Sequence, residues 1–258
     1  MSVITDARFA ARAATLAAYT TGTLYRHYVI ARNATPDEDQ ALIRETMHRY
    51  GRHMTRLYGI DVRTEGVPES GIVAGTDSEG RGRVFVMNHR SGLDILVTLR
   101  LLEGKHVSRA DLAGWPVIGK IAQRAGILFV DRENRRSAAA VVSTMIDNVE
   151  KGIGVIIFPE GTTYEGDEVR PFKPGAFAVA RRTGCEIVPV GIAYAGNASF
   201  GEESFLEHMR RVSGAARTRV GFAVGQPFRA EKRDSAQLAD AAHAEVQALV
   251  HRARALVG

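Results

Sequence analysis

Apolar residues recur with two different spacings along the chain. Between residues 36 and 57 they recur every three or four positions, which is the spacing of a helix with one buried face. From residue 60 onward, short apolar runs of strand length alternate with segments of helical spacing. Several of these runs lead directly into polar turns. Strand and helix patterns in alternation predict an α/β fold with a mostly parallel central sheet flanked by helices.

Two helices are predicted ahead of the α/β region. Thr35 and the proline and acids that follow it are typical of a helix start, and Glu38 is placed to complete a capping box. The preceding helix contains an uncharged run, residues 13–25, that is too short and too rich in threonine to span a bilayer. An interfacial helix and an ordinary helix docked on the domain both fit this run. We expect a two-helix interfacial segment over residues 1–59 and one domain over residues 60–258.

Composition narrows the choice of partners without fixing it. The 258 residues are enough for one large domain with its own core, and 45% of them are hydrophobic. A formal net charge of +5 and an isoelectric point near 9.5 favour an anionic partner: nucleic acid, an anionic membrane surface or a phosphorylated substrate. No nucleic-acid-binding motif and no cluster of metal ligands stands out in the sequence. Cys185 is the only cysteine, so the chain has no internal disulfide, which fits a reducing compartment.

One predicted strand, Val84–Met87, ends next to a histidine and an aspartate. His89 follows the strand, and Asp94 comes five residues later at the start of an apolar helical segment. On one continuous helix the two side chains would be splayed by roughly 140°, so they meet only if His89 lies in the turn before the helix. Asp94 would then hold one imidazole nitrogen as N–H and leave the other free as a base. A capped turn with an exposed histidine fits the same spacing.

Polar residues also follow two other predicted strands. Arg132 lies just beyond an apolar run, and Glu160 begins a turn whose glycine and threonines offer backbone N–H and hydroxyl donors to an anion. Lys173 precedes a predicted helix, and helix N-termini favour anions. Because the carboxyl ends of parallel strands open onto one crevice, we expect these residues to lie near His89. A surface arginine and an ordinary Pro-Gly turn are the structural alternatives.

Four segments of the chain carry motifs in a fixed order. In the first, Asn-His is followed after four residues by Asp, with a serine between them. The second reads Gly-x-x-Phe-x-x-Arg, the third reads Phe-Pro-Glu-Gly-Thr, and the fourth is the apolar stretch of residues 188–191. The motif residues of the first three segments are Asn88, His89, Ser91, Asp94, Gly126, Phe129, Arg132, Phe158, Pro159, Glu160, Gly161 and Thr162. Together the four segments resemble the glycerolipid acyltransferase family, which includes bacterial lysophosphatidic acid acyltransferases, and the resemblance spans roughly residues 60–224.

The resemblance implies transfer of a fatty acyl group from acyl-CoA or acyl carrier protein to the hydroxyl of a lysophospholipid. The expected acceptor is 1-acyl-sn-glycerol-3-phosphate, which would give phosphatidic acid, and no cofactor is expected. The implied place of action is the cytoplasmic face of an anionic membrane, with the protein peripheral or monotopic. His89 would be the general base, because a lipid hydroxyl is not ionised at neutral pH, and Asp94 would orient it.

Substrate contacts are expected from eight residues. Glu160 is expected to orient a nearby cation, Arg132 or Lys173, because a carboxylate repels phosphate. Ser91 is expected to cap the turn rather than act as a nucleophile, since the chain has no Gly-x-Ser-x-Gly elbow. The eight residues are Asn88, Ser91, Phe129, Arg132, Glu160, Gly161, Thr162 and Lys173.

Other functions remain open at this level. Many members that acylate lysophosphatidate carry arginine where this chain has Thr163, so another lyso-lipid acceptor is an alternative. A hydrolase that splits acyl thioesters would use water in the same site. A non-catalytic basic protein that binds membranes or nucleic acid would explain the positive charge, but not the spacing of His89 and Asp94.

We predict that Arg132 is the main anchor for an acceptor phosphate. Its guanidinium fork suits two phosphate oxygens, whereas lysine keeps the charge and loses the fork. Arg132→Lys should therefore raise the KM for the lysophospholipid more than the KM for the acyl thioester. Arg132→Ala should lower the rate further, because a misplaced hydroxyl no longer reaches His89. Steady-state kinetics test both variants. A lower melting temperature with an unchanged acceptor KM would indicate a structural salt bridge instead, to Glu160 or Asp131.

Overall fold

The computed structural model describes residues 3–114, 118–124, 126–131 and 134–258. Seven strands in these ranges form a single sheet. The strands are β1 (Ile60–Glu65), β2 (Val84–Met87), β3 (Lys105–Arg109), β4 (Leu128–Val130), β5 (Val155–Ile157), β6 (Ile187–Tyr194) and β7 (Thr218–Val224).

The same ranges contain eight α-helices, and short 3₁₀ turns precede α4 and α6 and follow α1. Most strands are followed by a helix along the chain, as the alternating sequence pattern predicts. The helices are α1 (Val3–Ile30), α2 (Pro36–Leu57), α3 (Asp94–Leu101), α4 (Ile118–Arg124), α5 (Arg135–Glu150), α6 (Phe177–Thr183), α7 (Phe205–Gly214) and α8 (Ser235–Ala255).

Five neighbouring strands of the sheet run parallel. The order across the sheet is β1-β7-β6-β2-β5-β3-β4, and the five strands from β6 to β4 share one direction. β7 runs antiparallel to β6, and β1 lies parallel beside β7. The predicted α/β fold with a mostly parallel sheet is confirmed. Because β2 lies between β5 and β6, residues that follow these three strands emerge side by side at one edge of the sheet.

Alternate side chains of β2 enter two separate cores. Val84 and Val86 pack with residues of α5, α6 and α8 on one face of the sheet. Phe85 and Met87 pack with residues of α2 and α3 on the other face. A strand that is covered on both faces has a continuous apolar sequence, as β2 does. The turn after β2 is therefore anchored to a strand with little freedom to move.

The N-terminal helix pair shares a core with the sheet. Tyr50 and Met54 of α2 are buried in the same cluster as Phe85 of β2. Gly51 allows the close approach of α2 to α3, because a Cβ at that position would overlap the backbone of Arg100. The expected boundary after residue 59 therefore separates no independent core. The helix pair packs as part of the α/β domain.

The sequence predicted the start of α2 correctly, but α1 is longer than the uncharged run that indicated it. The capping box is confirmed: the Thr35 hydroxyl accepts from the Glu38 N–H, and the Glu38 carboxylate accepts from the Thr35 N–H at 2.8 Å. α1 extends well beyond the uncharged run on both sides. Within the described ranges, no helix has the length and apolar character needed to cross a membrane. The exposed large hydrophobic side chains of α1 are Ile4, Tyr25, Tyr28, Val29 and Ile30.

Candidate active site

His89 and Asp94 meet across the turn that joins β2 to α3. Nδ1 of His89 lies 2.7 Å from Oδ2 of Asp94. β2 ends at Met87 and α3 begins at Asp94 itself, so the two side chains do not share a helix. The predicted contact is confirmed, and so is its reason: the histidine precedes the helix.

The Asp94 carboxylate is fully buried and supplied with hydrogen-bond donors. Its Oδ2 also accepts from the backbone N–H groups of Arg90 at 2.7 Å and Ser91 at 3.0 Å. Its Oδ1 accepts from the Tyr194 hydroxyl at 2.6 Å. Burial and the neighbouring carboxylate raise the pKa of Tyr194 well above its ordinary value, so the hydroxyl stays protonated and donates. An ionised carboxylate only accepts, so Asp94 holds Nδ1 of His89 as N–H.

One face of the His89 ring is covered, and one ring nitrogen is open. The Phe158 ring stacks on the imidazole with the two centroids 4.1 Å apart. The His89 side chain is 19% exposed. Among the residues that the structure describes, none forms a hydrogen bond with Nε2 of His89. With its proton on Nδ1, the ring presents a lone pair on Nε2 that can accept a proton from a bound alcohol or water.

Glu160 is a second buried carboxylate at this edge of the sheet. Its Oε1 accepts from the His89 backbone N–H at 2.7 Å and from the Arg90 guanidinium at 2.8 Å. Its Oε2 accepts from the Arg170 backbone N–H at 2.9 Å. Glu160 therefore joins the turn after β5 to the turn after β2. It holds the backbone of His89, while Asp94 holds the imidazole.

These contacts correct the partner that we expected for Glu160. Its cation among the described residues is Arg90 rather than Lys173, and Arg132, the other expected partner, lies outside the described residues. Arg90 is 1% exposed, and its guanidinium also donates to carbonyl oxygens of residues 89, 166 and 168. Its donors are thus used inside the protein. Arg90 is a structural cation and is not available to a ligand.

An open cationic surface remains beside the Glu160 turn. Gly161 has a φ of 85°, which glycine adopts readily, and the Lys173 ammonium lies against it where a Cβ would overlap. Lys173 and Thr162 are exposed, and no described residue forms an ion pair with Lys173. An anion can therefore reach this surface. For a metal ion, the described ranges hold no group of three or more His, Cys, Asp or Glu side chains in a suitable arrangement.

Two residues that we expected to contact substrate are buried parts of the framework. The Asn88 amide bridges the backbone of Ile192 in β6, donating to its carbonyl and accepting from its N–H, both at 2.9 Å. The Ser91 hydroxyl accepts from the Leu93 N–H at 3.2 Å, which is the capping role that we expected. The polar atoms of Asn88 and Ser91 are therefore not open to a ligand. Phe129 lies half-buried in β4.

Three residues of the site had no role in the sequence-based prediction: Arg90, Phe158 and Tyr194. Tyr194 is the last residue of β6, the neighbour of β2, so the strand-end rule applied to that strand would have found it. Phe158 lies inside a matched motif, but the motif did not indicate that its ring covers the imidazole. Arg90 carried no signal, because an arginine in a turn is usually exposed.

Comparison with known proteins places this site in a family. A family model described as Acyltransferase matches residues 60–193. The chain belongs to this acyltransferase family. The matched part includes the turn between β2 and α3 as well as Glu160 and its turn.

Curated relatives are similar over part of their length. A lyso-ornithine lipid O-acyltransferase of Pseudomonas aeruginosa is 30% identical over 171 residues, which are 64% of this chain and 66% of the relative. A chloroplastic 1-acyl-sn-glycerol-3-phosphate acyltransferase of Brassica napus is 35% identical over 127 residues, 48% of this chain and 37% of the relative. The Escherichia coli 1-acyl-sn-glycerol-3-phosphate acyltransferase is 29% identical over 154 residues, 58% and 59% of the two chains. The alignments thus leave at least a third of each relative unmatched.

A solved structure is similar along nearly the whole chain. The crystal structure of the 1-acyl-sn-glycerophosphate (LPA) acyltransferase PlsC from Thermotoga maritima has a TM-score of 0.75 and 19% identity. The alignment covers 98% of this chain and 96% of that one. At this identity the likeness establishes a shared fold, which extends to the N-terminal helices.

We predict that His89→Ala abolishes most turnover while the protein stays folded. A general base contributes about 10²- to 10⁴-fold in rate, and alanine removes it. Asp94→Asn should also lose most activity, because an amide does not fix the imidazole tautomer in the same way. The measurement is kcat with an acyl thioester and a lysophospholipid, together with a melting curve. His251→Ala, a histidine exposed on α8, is the matched control and should keep wild-type kcat. A folded His89→Ala protein with most of its activity would contradict this mechanism.

Proposed function

We propose that the chain transfers a fatty acyl group from an acyl thioester, acyl-CoA or acyl carrier protein, to the hydroxyl of a lysophospholipid. The preferred acceptor is 1-acyl-sn-glycerol-3-phosphate, and the product is phosphatidic acid. The observation that supports this most directly is the His89–Asp94 pair, with Nδ1 bound and Nε2 open. Membership of the acyltransferase family adds independent support for acyl transfer.

The reaction needs a base because the acceptor hydroxyl is not ionised at neutral pH. Nε2 of His89 accepts the hydroxyl proton as the oxygen attacks the thioester carbonyl carbon. The positive charge that forms on the imidazole lies against the Asp94 carboxylate, 2.7 Å away. When the tetrahedral intermediate collapses, the C–S bond breaks and the proton on Nε2 passes to the departing thiolate. The products are an ester and a free thiol, and His89 is neutral again.

The acceptor head group is held by cations at the edge of this site. Lys173 is exposed beside the Gly161 turn, and Arg132 follows β4 in the sequence. Two cations suit a phosphate monoester. Lyso-ornithine lipid is the second candidate acceptor, for two reasons. Thr163 replaces the arginine of many lysophosphatidate acyltransferases, and the Pseudomonas aeruginosa relative is named for that lipid.

The lipid acceptor requires that the protein reach a membrane surface. Four of the exposed apolar side chains of α1 lie between residues 25 and 30, beside Arg26 and Arg32. Aromatic and aliphatic side chains next to arginines are typical of a helix that lies in the head-group region. We propose that this end of α1 holds the protein on the cytoplasmic face of an anionic membrane, as a peripheral or monotopic protein.

The acceptor is identified by product analysis with labelled acyl-CoA. The panel contains 1-acyl-sn-glycerol-3-phosphate, lyso-ornithine lipid and lysophosphatidylcholine, and phosphatidic acid should form fastest. Faster acylation of lyso-ornithine lipid would assign the second acceptor and keep the enzyme class. Free fatty acid as the sole labelled product would identify a hydrolase. If neither acyl-CoA nor acylated acyl carrier protein gave a product, the protein would be a non-catalytic binding protein.

Membrane binding is tested with full-length variants rather than a truncation, because loss of residues 1–59 would open the core. The variant Tyr25→Ser/Tyr28→Ser/Ile30→Ser removes side chains that are 69%, 71% and 47% exposed, so its fold should be unchanged. It should lose most sedimentation with anionic liposomes, since each buried apolar side chain contributes on the order of 1 kcal/mol or more. Ile4→Ser, at the other end of α1 and 68% exposed, is the control. Equal sedimentation of the triple variant and the wild type would contradict the assignment.

A further inference from the structure

A histidine of α7 contacts the turn that joins β2 to α3. His208 of α7 is 0% exposed. Its Nε2 lies 3.1 Å from the Gly92 backbone nitrogen and 3.0 Å from the Ser91 hydroxyl. Both residues lie in the turn between His89 and Asp94. A buried polar ring bonded to this turn, more than 100 positions away in the chain, is not needed for the chemistry described above.

The contacts fix the protonation of the His208 ring. A backbone N–H only donates, so Nε2 must be the acceptor of the Gly92 N–H. Nδ1 therefore carries the proton and donates to the Glu203 carboxylate at 3.1 Å. Arg211 pairs with the same carboxylate and lowers the pKa of Glu203 to about 2. Burial lowers the pKa of His208, so the ring is neutral.

The turn that His208 contacts is also hydrogen-bonded to the Asp94 carboxylate. The Ser91 N–H donates to Oδ2 of Asp94, the same oxygen that accepts from His89. α7 packs closely against Gly92, because a Cβ at that position would lie 2.9 Å from the Met209 sulfur. A shift of residues 91 and 92 would therefore move the Asp94 carboxylate and rotate the imidazole that it holds.

We propose that His208 is a positioning residue for acyl transfer: by accepting the Gly92 N–H it holds the 91–92 turn, and through Asp94 it sets the direction of the His89 lone pair. This inference rests on the proposed function of His89 as the base. His208 touches neither substrate nor the reacting atoms, because it is buried behind the turn.

Ser91, His208 and Glu203 are hydrogen-bonded in the order of a nucleophilic triad, but the burial of Ser91 excludes that role. The Ser91 side chain is 0% exposed and its hydroxyl already accepts from the Leu93 N–H. No acyl thioester can reach it without opening the turn. The order of a hydroxyl, a histidine and an acid arises here from hydrogen bonds that hold a buried turn.

The test compares two near-isosteric substitutions at position 208. Glutamine offers an oxygen acceptor to Gly92, whereas methionine fills a similar volume with only a weak acceptor. His208→Met should lower kcat by about ten- to a hundredfold with little change in either KM, since small misplacements of catalytic groups cost rates of this order. His208→Gln should recover most of the loss. Similar kcat values for wild type and His208→Met, or equal loss in both variants, would overturn the proposal.

A spectroscopic signal separates this proposal from the proposed function. In proton NMR, the Nδ1–H of His89 in its bond to Asp94 should give a low-field resonance that is missing in His89→Ala. His208→Met should shift or broaden this resonance, and an unchanged resonance would contradict the positioning role even if the wild type transferred no acyl group. His48→Met is the control: it removes a buried histidine that bonds the Leu99 carbonyl at the other end of α3. Its kcat and resonance should match the wild type.

Glu203→Leu covers the case in which His208→Met does not fold. The Glu203 side chain is 22% exposed, so its replacement removes the partner of Nδ1 with little effect on the core. The variant should lower kcat in the same direction as His208→Met but less. Wild-type kcat and an unchanged His89 resonance in Glu203→Leu would overturn the proposal.

Discussion

The buried carboxylate of Asp94 is the group around which the site is arranged. Taking an unpaired carboxylate out of water costs several kcal/mol, so every oxygen lone pair that is buried must find a donor. The donors come from three places: the turn itself, the His89 imidazole, and Tyr194 at the end of β6. The strand order of the sheet brings these places together. The orientation of the His89 imidazole is thus a result of satisfying one buried charge.

A second buried carboxylate supports the same turn in a different way. Glu160 pairs with Arg90 and accepts the backbone N–H of His89, so it neutralises a buried arginine and fixes the main chain. Asp94 acts on the side chain of His89, and Glu160 acts on its backbone. Removing either would leave a buried charge or donor without a partner, which is costlier than the loss of one hydrogen bond. This explains why two acids occupy an edge of the sheet that we expect to bind an anion.

The strand pattern and the strand-end rule predicted the fold and the meeting of His89 with Asp94, because both follow from local periodicity and chain direction. The side of the turn on which a polar residue lies does not follow from them. Glu160 was expected to orient Arg132 or Lys173, and Asn88 was expected to contact substrate. Both point into the protein instead, toward partners 70 and 104 positions away. His208 was missed for the same reason, since its partner is set by the packing of α7 against the turn.

The shared core of α2 and the sheet has a consequence for how the enzyme would work on a bilayer. Tyr50 and Met54 join the helix pair to the domain, and Arg12 of α1 donates to carbonyl oxygens at the end of α7. A helix pair that shares its core with the domain does not move independently of it, unlike a helix on a flexible linker. The height and tilt of His89 and its turn above the lipid head groups would then be fixed by packing. Grafting residues 1–59 from a relative would change that tilt unless the matching core side chains were exchanged with it.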